Sequence, residues 1–163
     1  MKKGIIYFLV SLLLLIPDSL AAKGDDELKY DIVSAGVSES GMTLVRVSVY
    51  VSKTKNATDE LFKKAAVHGI IFRGVSGSGV TGYSKQSALV TSAGAAQQYG
   101  DYFDTFFTDN GEYISYANVV QSTTETVKVG KEYRVSAVVN VSSDALKSTL
   151  KAAGVIKGMT AGF

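Results

Sequence analysis

The order of extended and helical patterns in this 163-residue chain predicts an α+β domain of two layers: a mainly antiparallel sheet of two hairpins covered by amphipathic helices, in the order β-β-α-α-β-β-α. Three observations carry that expectation. Thr43 to Ser52 alternates, with Val45, Val47, Val49 and Val51 on one face against Leu44, Arg46, Ser48 and Tyr50 on the other. Glu132 to Val141 alternates in the same way, with Tyr133, Val135, Ala137, Val139 and Val141 on one face. Between these segments lie two stretches whose apolar residues recur at helical spacing, and a sheet with one apolar face needs such a cover.

Each element has a local reason. Tyr30 to Val37 reads as the first strand, turned at Glu39-Ser40-Gly41 into the valine strand. Asn56 or Thr58 is the expected cap of a helix from about Thr58 to about Ile70, with Asp59 and Glu60 at the positive end of its dipole. Leu61, Ala65, His68 and Phe72 form its apolar stripe, Phe62, Ala66 and Ile70 widen it, and Lys63 and Lys64 point away. Gly74, Gly77, Gly79 and Gly82 mark a flexible connection that reaches to about Ser92. A second helix is expected from about Ala95 to Phe107, with Tyr99, Tyr102, Phe103, Phe106 and Phe107 on one face, and Asp109-Asn110-Gly111 ends it. Glu112 to Val129 and Glu132 to Val141 read as two long strands joined at Gly130-Lys131. Ser142 or Ser143 is expected to cap a last helix with Leu146, Leu150 and Ala153 on one face, closed by Gly154.

The N-terminus reads as a targeting segment. Lys2 and Lys3 precede an apolar run from Ile5 to Ile16, and Pro17-Asp18-Ser19-Leu20-Ala21-Ala22 supplies a helix breaker and small residues, which is the order of a secretory signal peptide. The run spans only about 18 Å of helix against a hydrocarbon core of about 30 Å, which argues against a membrane anchor. The expected organisation is a signal peptide over 1–22, cleaved after Ala21 or Ala22, and a single domain over 23–163 in the periplasm or outside the cell. The 17 basic and 15 acidic side chains give a net charge of +2, without the basic excess that binding nucleic acid needs. With no cysteine, the chain has no disulfide, thiolate nucleophile or cysteine-held metal.

Two blocks carry a resemblance. Tyr133-Arg134-Val135-Ser136-Ala137-Val138-Val139-Asn140-Val141, continued by Ser143-Asp144-Ala145-Leu146 and Leu150-Lys151-Ala152-Ala153-Gly154-Val155-Ile156, looks like the closing strand and helix of small exported envelope proteins. With Ala65-Ala66-Val67-His68-Gly69-Ile70-Ile71-Phe72-Arg73-Gly74 it resembles uncharacterised exported α+β envelope proteins of Bacteroidetes type. More distantly it looks like flagellar-assembly and TolB-amino-terminal-like accessory modules. The resemblance implies a noncatalytic accessory or assembly role and an envelope protein partner.

No motif assigns a chemical centre. Gly77-Ser78-Gly79-Val80-Thr81-Gly82 matches the dinucleotide fingerprint, but Tyr83 to Ser92 has no helical stripe on which pyrophosphate would sit, so no cofactor is expected. Ser52-Lys53-Thr54-Lys55 and Ser148-Thr149-Leu150-Lys151 match S-x-x-K without the K-T-G strand that chemistry requires. His68, the sole histidine, is expected to be largely buried and hydrogen-bonded to one neighbour. Asp101, Asp104, Asp109 and Glu112 read as a solvated acidic edge, and no catalytic or metal-binding residue is assigned. A partner or ligand surface is expected at Tyr83, Leu89, Tyr99, Tyr102 and Phe106. The expected function is therefore an exported noncatalytic binding or assembly module of the bacterial cell envelope. Two other classes compete with it: a small envelope hydrolase pairing Asp101 or Asp104 with Glu112, and a carrier of an apolar or glycan ligand in a cavity under the aromatic helix.

Overall fold

In the computed structural model, which describes residues 28–79, 83, 85–92 and 94–157, the two alternating segments lie side by side. They are β2 (Thr43–Val51) and β5 (Glu132–Val141), paired antiparallel so that Val45 faces Val139, Val47 faces Ala137 and Val49 faces Val135. All six are buried on one face. β1 (Tyr30–Ser34) adds antiparallel to the free side of β2, placing Tyr30 and Ile32 on the same face. The other edge of β5 is shared by β3 (Ala117–Val119) and β4 (Glu125–Val129). The α+β class and its antiparallel sheet are as the sequence predicts. The signal segment at 1–22 and the leader at 23–27 lie outside the described residues, as do Val80, Thr81 and Gly82 of the glycine-rich run.

The helix α1 (Asp59–His68) lies over the valine face, against β2, β3 and β5. Its cap is Thr58, whose Oγ1 accepts from the Leu61 amide at 3.2 Å, whereas Asn56 belongs to a preceding 3-10 turn. Phe62, Ala65, Ala66 and Val67 are buried beneath it, and Leu61 is only partly covered. Instead of stopping near Ile70, the chain continues as a π turn, Gly69–Arg73, in which the Gly74 amide reaches the Gly69 carbonyl at 2.8 Å. Gly69 has no room for a side chain, since a Cβ there would stand 2.8 Å from Ile32 Cδ1. Gly74 has a φ of 75° and the backbone of 86–88 packed against it, so it needs glycine on both counts.

The connection after Gly74 is held at both of its described ends. Val75 exchanges both backbone hydrogen bonds with Gln86, the Ser34 amide donates to the Ser76 carbonyl, and the Leu89 and Val90 amides donate to the carbonyls of Ile70 and Ile71. Val75 and Val90 are buried.

Two further elements depart from the sequence reading. The single helix expected over 95–107 is two, α2 (Ala95–Gln98) and α3 (Gly100–Phe106). They break at Tyr99, where φ is −111° and ψ 27°, because glycine follows it and its hydroxyl is drawn to the Gly154 carbonyl at 2.7 Å. The long strand expected over 112–129 opens as a 3-10 turn, Glu112–Tyr116, and is then interrupted between β3 and β4. There, residues 120–124 stand against only Ala137 and Val138 of β5. Thr123 fills the gap: its Oγ1 accepts from the Val138 amide at 3.0 Å and donates to the Val120 carbonyl at 2.7 Å, while the Val120 amide reaches the Val138 carbonyl at 2.8 Å.

The last helix, α4 (Ser143–Ala152), is started differently from expectation. Neither serine caps it by the usual side-chain bond; the Gly41 carbonyl accepts from the Asp144 amide and from Ser143 Oγ at 3.1 and 3.2 Å. Its end is as expected at Gly154, where the Gly154 and Val155 amides return to the Lys151 and Leu150 carbonyls. That closure buries Val155 beside Leu146 and Leu150, so Ala153, expected on the apolar face, is exposed.

Phe62→Ala should cost about 3–5 kcal/mol, because the ring is sealed between α1 and the sheet and its removal leaves a cavity. Thr123→Ala should cost about 1–3 kcal/mol by stranding a buried amide, and Thr126→Ala on exposed β4 should stay within about 0.5 kcal/mol. Urea denaturation of the three variants checks the ranking.

Candidate functional site: an aromatic cleft beside the π turn

The π turn and α3 face one another across a line of rings. Phe72 packs 4.7 Å from Phe103 and 4.9 Å from His68, and Phe107, the residue after α3, lies 5.5 Å from His68. Helical spacing within α3 gives two stacks, Phe103 with Phe107 at 25° and Tyr102 with Phe106 at 24° between ring planes. The first stack turns toward the π turn. The second turns away, toward Tyr116, whose ring is 5.9 Å from that of Phe106. Four of the five aromatic residues expected on one face thus divide between two, and the fifth, Tyr99, bonds through its hydroxyl to the Gly154 carbonyl.

Between the walls is an open cleft of about 660 Å³ lined by Leu28, Lys64, His68, Phe72, Arg73, Phe103, Asp104, Phe107, Thr108 and Asp109. Its volume lies within the range of small-molecule and peptide-anchor pockets. Lys64, His68 and Arg73 stand on the α1 side, and Asp104, Thr108 and Asp109 on the α3 side, so one wall carries donors and the other acceptors.

His68 joins the cleft to the sheet. Its Nδ1 lies 2.6 Å from the Tyr30 hydroxyl, and the Tyr30 ring is in turn covered by the Arg73 guanidinium at 4.2 Å from its centroid. Arg73 Nη1 also donates to the Tyr30 carbonyl at 3.0 Å. Burial pushes the imidazole from its ordinary 6.5 down to about 4, with the positive charges of Arg73 and Lys64 acting in the same direction. Burial also pushes the Tyr30 phenol up to about 12, against the smaller opposing effect of Arg73. The pair is therefore a neutral imidazole beside a protonated phenol across the neutral range.

The α3 wall is anchored from below by Glu60. Its Oε1 accepts from the Asn110 amide at 3.0 Å and from the fully buried Tyr113 hydroxyl at 2.8 Å, and those bonds hold its carboxyl below the usual range, the Asn110 bond most. Asn110 takes the left-handed conformation, φ 55°, which directs its amide to Glu60.

The structure places the expected surface residues in separate places. Tyr83 lies near Gly36 and Leu44 at the end of the first hairpin, and Leu89 packs against the core with its backbone tied to Ile70. Tyr99 is bound to Gly154, and Tyr102 is half-buried. Phe106 is 2% exposed, so it is core and offers no surface. The cleft is instead built from Phe72, Phe103, Phe107 and His68; their i, i+4 spacing was visible in the sequence but reads equally well as core. Of the acidic set, Asp104 and Asp109 line the cleft, whereas Glu112 lies outside its lining and accepts from Tyr116 at 2.8 Å. The residues before the glycine-rich run form the π turn, so the dinucleotide fingerprint has no strand ahead of it. Among the described residues no three His, Asp or Glu side chains converge on a metal site, and no helix is long and apolar enough to cross a membrane.

No protein-family model, curated protein or solved structure matches this chain. The resemblance to envelope proteins therefore rests on the two sequence blocks alone.

Two acid transitions should be separable in stability. His68 has a lower folded than unfolded pKa, so its contribution is complete above 6.5 and is lost as pH falls from 6.5 toward about 4, to a total on the order of 2–3 kcal/mol. Glu60 is also depressed, so its contribution is lost at lower pH, as it protonates below 4.5. His68→Gln should flatten the upper limb of a stability-against-pH curve and Glu60→Gln the lower, as measured by urea midpoints across the acid range.

Proposed function

We propose that this chain is an exported, noncatalytic binding module of the bacterial cell envelope, and that the aromatic cleft receives a polypeptide segment of a partner. The observation that carries this reading is the cleft itself. Phe72 and Phe107, backed by the buried Phe103, are held by ring contacts before any ligand arrives, so an apolar anchor laid over them meets rigid area at little ordering cost. The opposed walls of donors and acceptors suit a polypeptide, which offers carbonyls and amides along the same short stretch. The export part of the proposal rests on Lys2, Lys3, the apolar run and Ala21-Ala22.

Peptides selected from a random displayed library against the purified protein should carry an aromatic or aliphatic anchor. Their binding should fall by about tenfold or more in Phe72→Ala and Phe107→Ala, with circular dichroism unchanged, and stay as it is in Thr126→Ala. Equal binding to the Phe72→Ala variant would remove the cleft from the proposal. Protein recovered from the exported fraction should begin at Ala22 or Lys23 on amino-terminal sequencing, and retention of Met1 would remove export.

A further inference from the structure

We infer that the outer edge of β4 pairs with β4 of a second copy of this chain, antiparallel about a two-fold axis through Val127, so that one sheet continues across two molecules. No residue of β4 lines the aromatic cleft, and the inference is independent of what the cleft binds.

The backbone of β5 shows which groups of β4 face outward. The Val138 amide and carbonyl both point to the edge that β3 and β4 share, where Thr123 Oγ1 and the Val120 amide meet them. Backbone direction alternates along a strand, so Ser136, Arg134 and Glu132 point the same way and exchange hydrogen bonds with their partners Glu125, Val127 and Val129. The amides and carbonyls of Thr126 and Lys128 therefore face away from the sheet. Among the described residues β4 pairs with no strand but β5 and has no backbone bond to any other element. The far edge of the sheet is already occupied, since β1 meets Ser76 and Arg73 there. Every residue of β4 is exposed, and Val127 and Val129 are two of the four large apolar side chains left exposed among the described residues. Both lie on the face opposite α1, because Thr126 between them shares the face of buried Val135.

An outward edge accepts an extended chain, and the residues of β4 select β4 itself. A two-fold axis normal to the sheet makes the pairing antiparallel and keeps the valine faces of both copies on one side. With that axis at Val127, all five residues of β4 are paired, and Thr126 of each copy lies opposite Lys128 of the other. These are the residues whose backbone groups face outward, so each amide meets a carbonyl. Val127 then stands opposite Val127 of the second copy, with Val129 of that copy on the diagonal, so the exposed valines cover one another. No like charges are directly opposite; the two Lys128 side chains meet only on the diagonal, where their length lets them diverge. An axis at Glu125 or Lys128 would set like charges face to face, and any axis other than Val127 shortens the pairing. The charges on this edge thus act against slipped registers and leave one register open. Because β5 already holds β4 extended, neither copy has to order a segment in order to associate.

The chain has no cysteine, so a single introduced one reports on a single contact. Val127→Cys places the two thiols in a non-hydrogen-bonded pair with Cα atoms about 4.5 Å apart, within disulfide reach, whereas Val129→Cys separates them by about 14 Å along the strands. Under mild oxidation Val127→Cys should become a disulfide-linked dimer about tenfold or more faster than Val129→Cys. In sedimentation equilibrium the unmodified protein should pass from the mass of one chain toward that of two as its concentration rises to roughly 0.3 mM. Val127→Asp, which sets like charges opposite one another, should weaken that association by about tenfold or more with circular dichroism unchanged. The mass of one chain at every concentration would overturn the inference and leave the edge to a strand of another protein. Equal cross-linking of the two cysteine variants, or association undiminished in Val127→Asp, would put the contact elsewhere and overturn it as well. None of these outcomes bears on peptide binding at the cleft, which is tested separately.

Discussion

The seating of α1 on the paired valine faces of β2 and β5 is the contact on which the rest of the molecule depends. Ala65, Ala66 and Gly69 keep the helix surface low enough for close approach, and Phe62 and Val67 fill the space on either side. Once α1 is down, its axis directs the π turn past β1, and the turn's carbonyls at Ile70 and Ile71 become docking points for Leu89 and Val90. The long connection is thus organised from its ends by the helix it leaves. The same axis carries Lys64, His68 and Arg73 out along one side, where α3 meets them.

The cleft is therefore a boundary between layers rather than a hollow within one. The extra residue of the π turn advances Phe72 and Arg73 around the helix relative to an unbroken α pattern. Phe72 lies against Phe103 while Arg73 reaches back over Tyr30. One local departure from helical geometry so supplies both the apolar floor and the fixed cation. The neutrality of His68 follows from its position between the sheet and two positive side chains, and burial is the larger cause.

Among the described residues no helix lies over the opposite face of the sheet, which carries polar pairs around the buried Ser136 and Val138 of β5. Arg46 reaches Glu125 at 3.5 Å, Ser48 and Ser136 share a hydrogen bond at 2.8 Å, and Tyr50 donates to Asp31 at 2.7 Å. The exposed pairs add little stability; the strand register is kept by the valines, which a slip of one residue would move to this side. The two sheet edges differ. β1 is closed off by Arg73 on the Tyr30 carbonyl and by Ser76, whereas β4 has charged residues and the interruption after Val119.

The class and the centre of the fold are legible in the order of residues alone. Val45 to Val51 have a period of two that admits only one buried face, Val135 to Val141 present the matching face although Ser136 and Val138 on the other side are buried too, and Thr58-Asp59-Glu60 and Gly154 are end signals that act within a few residues. The tertiary structure alone decided which helix ends extend or break, and hence which aromatic residues line a cleft. Position 69 is crowded against Ile32, 2.8 Å from where a Cβ would stand, and Tyr99 breaks its helix where its hydroxyl meets Gly154 at the far end of the chain. The broken edge strand depends on Thr123 meeting Val138. A stripe at helical spacing specifies that residues share a side, but not what lies opposite; Phe106 and Phe107 are adjacent in sequence, and one is core while the other lines the cleft because different elements face them.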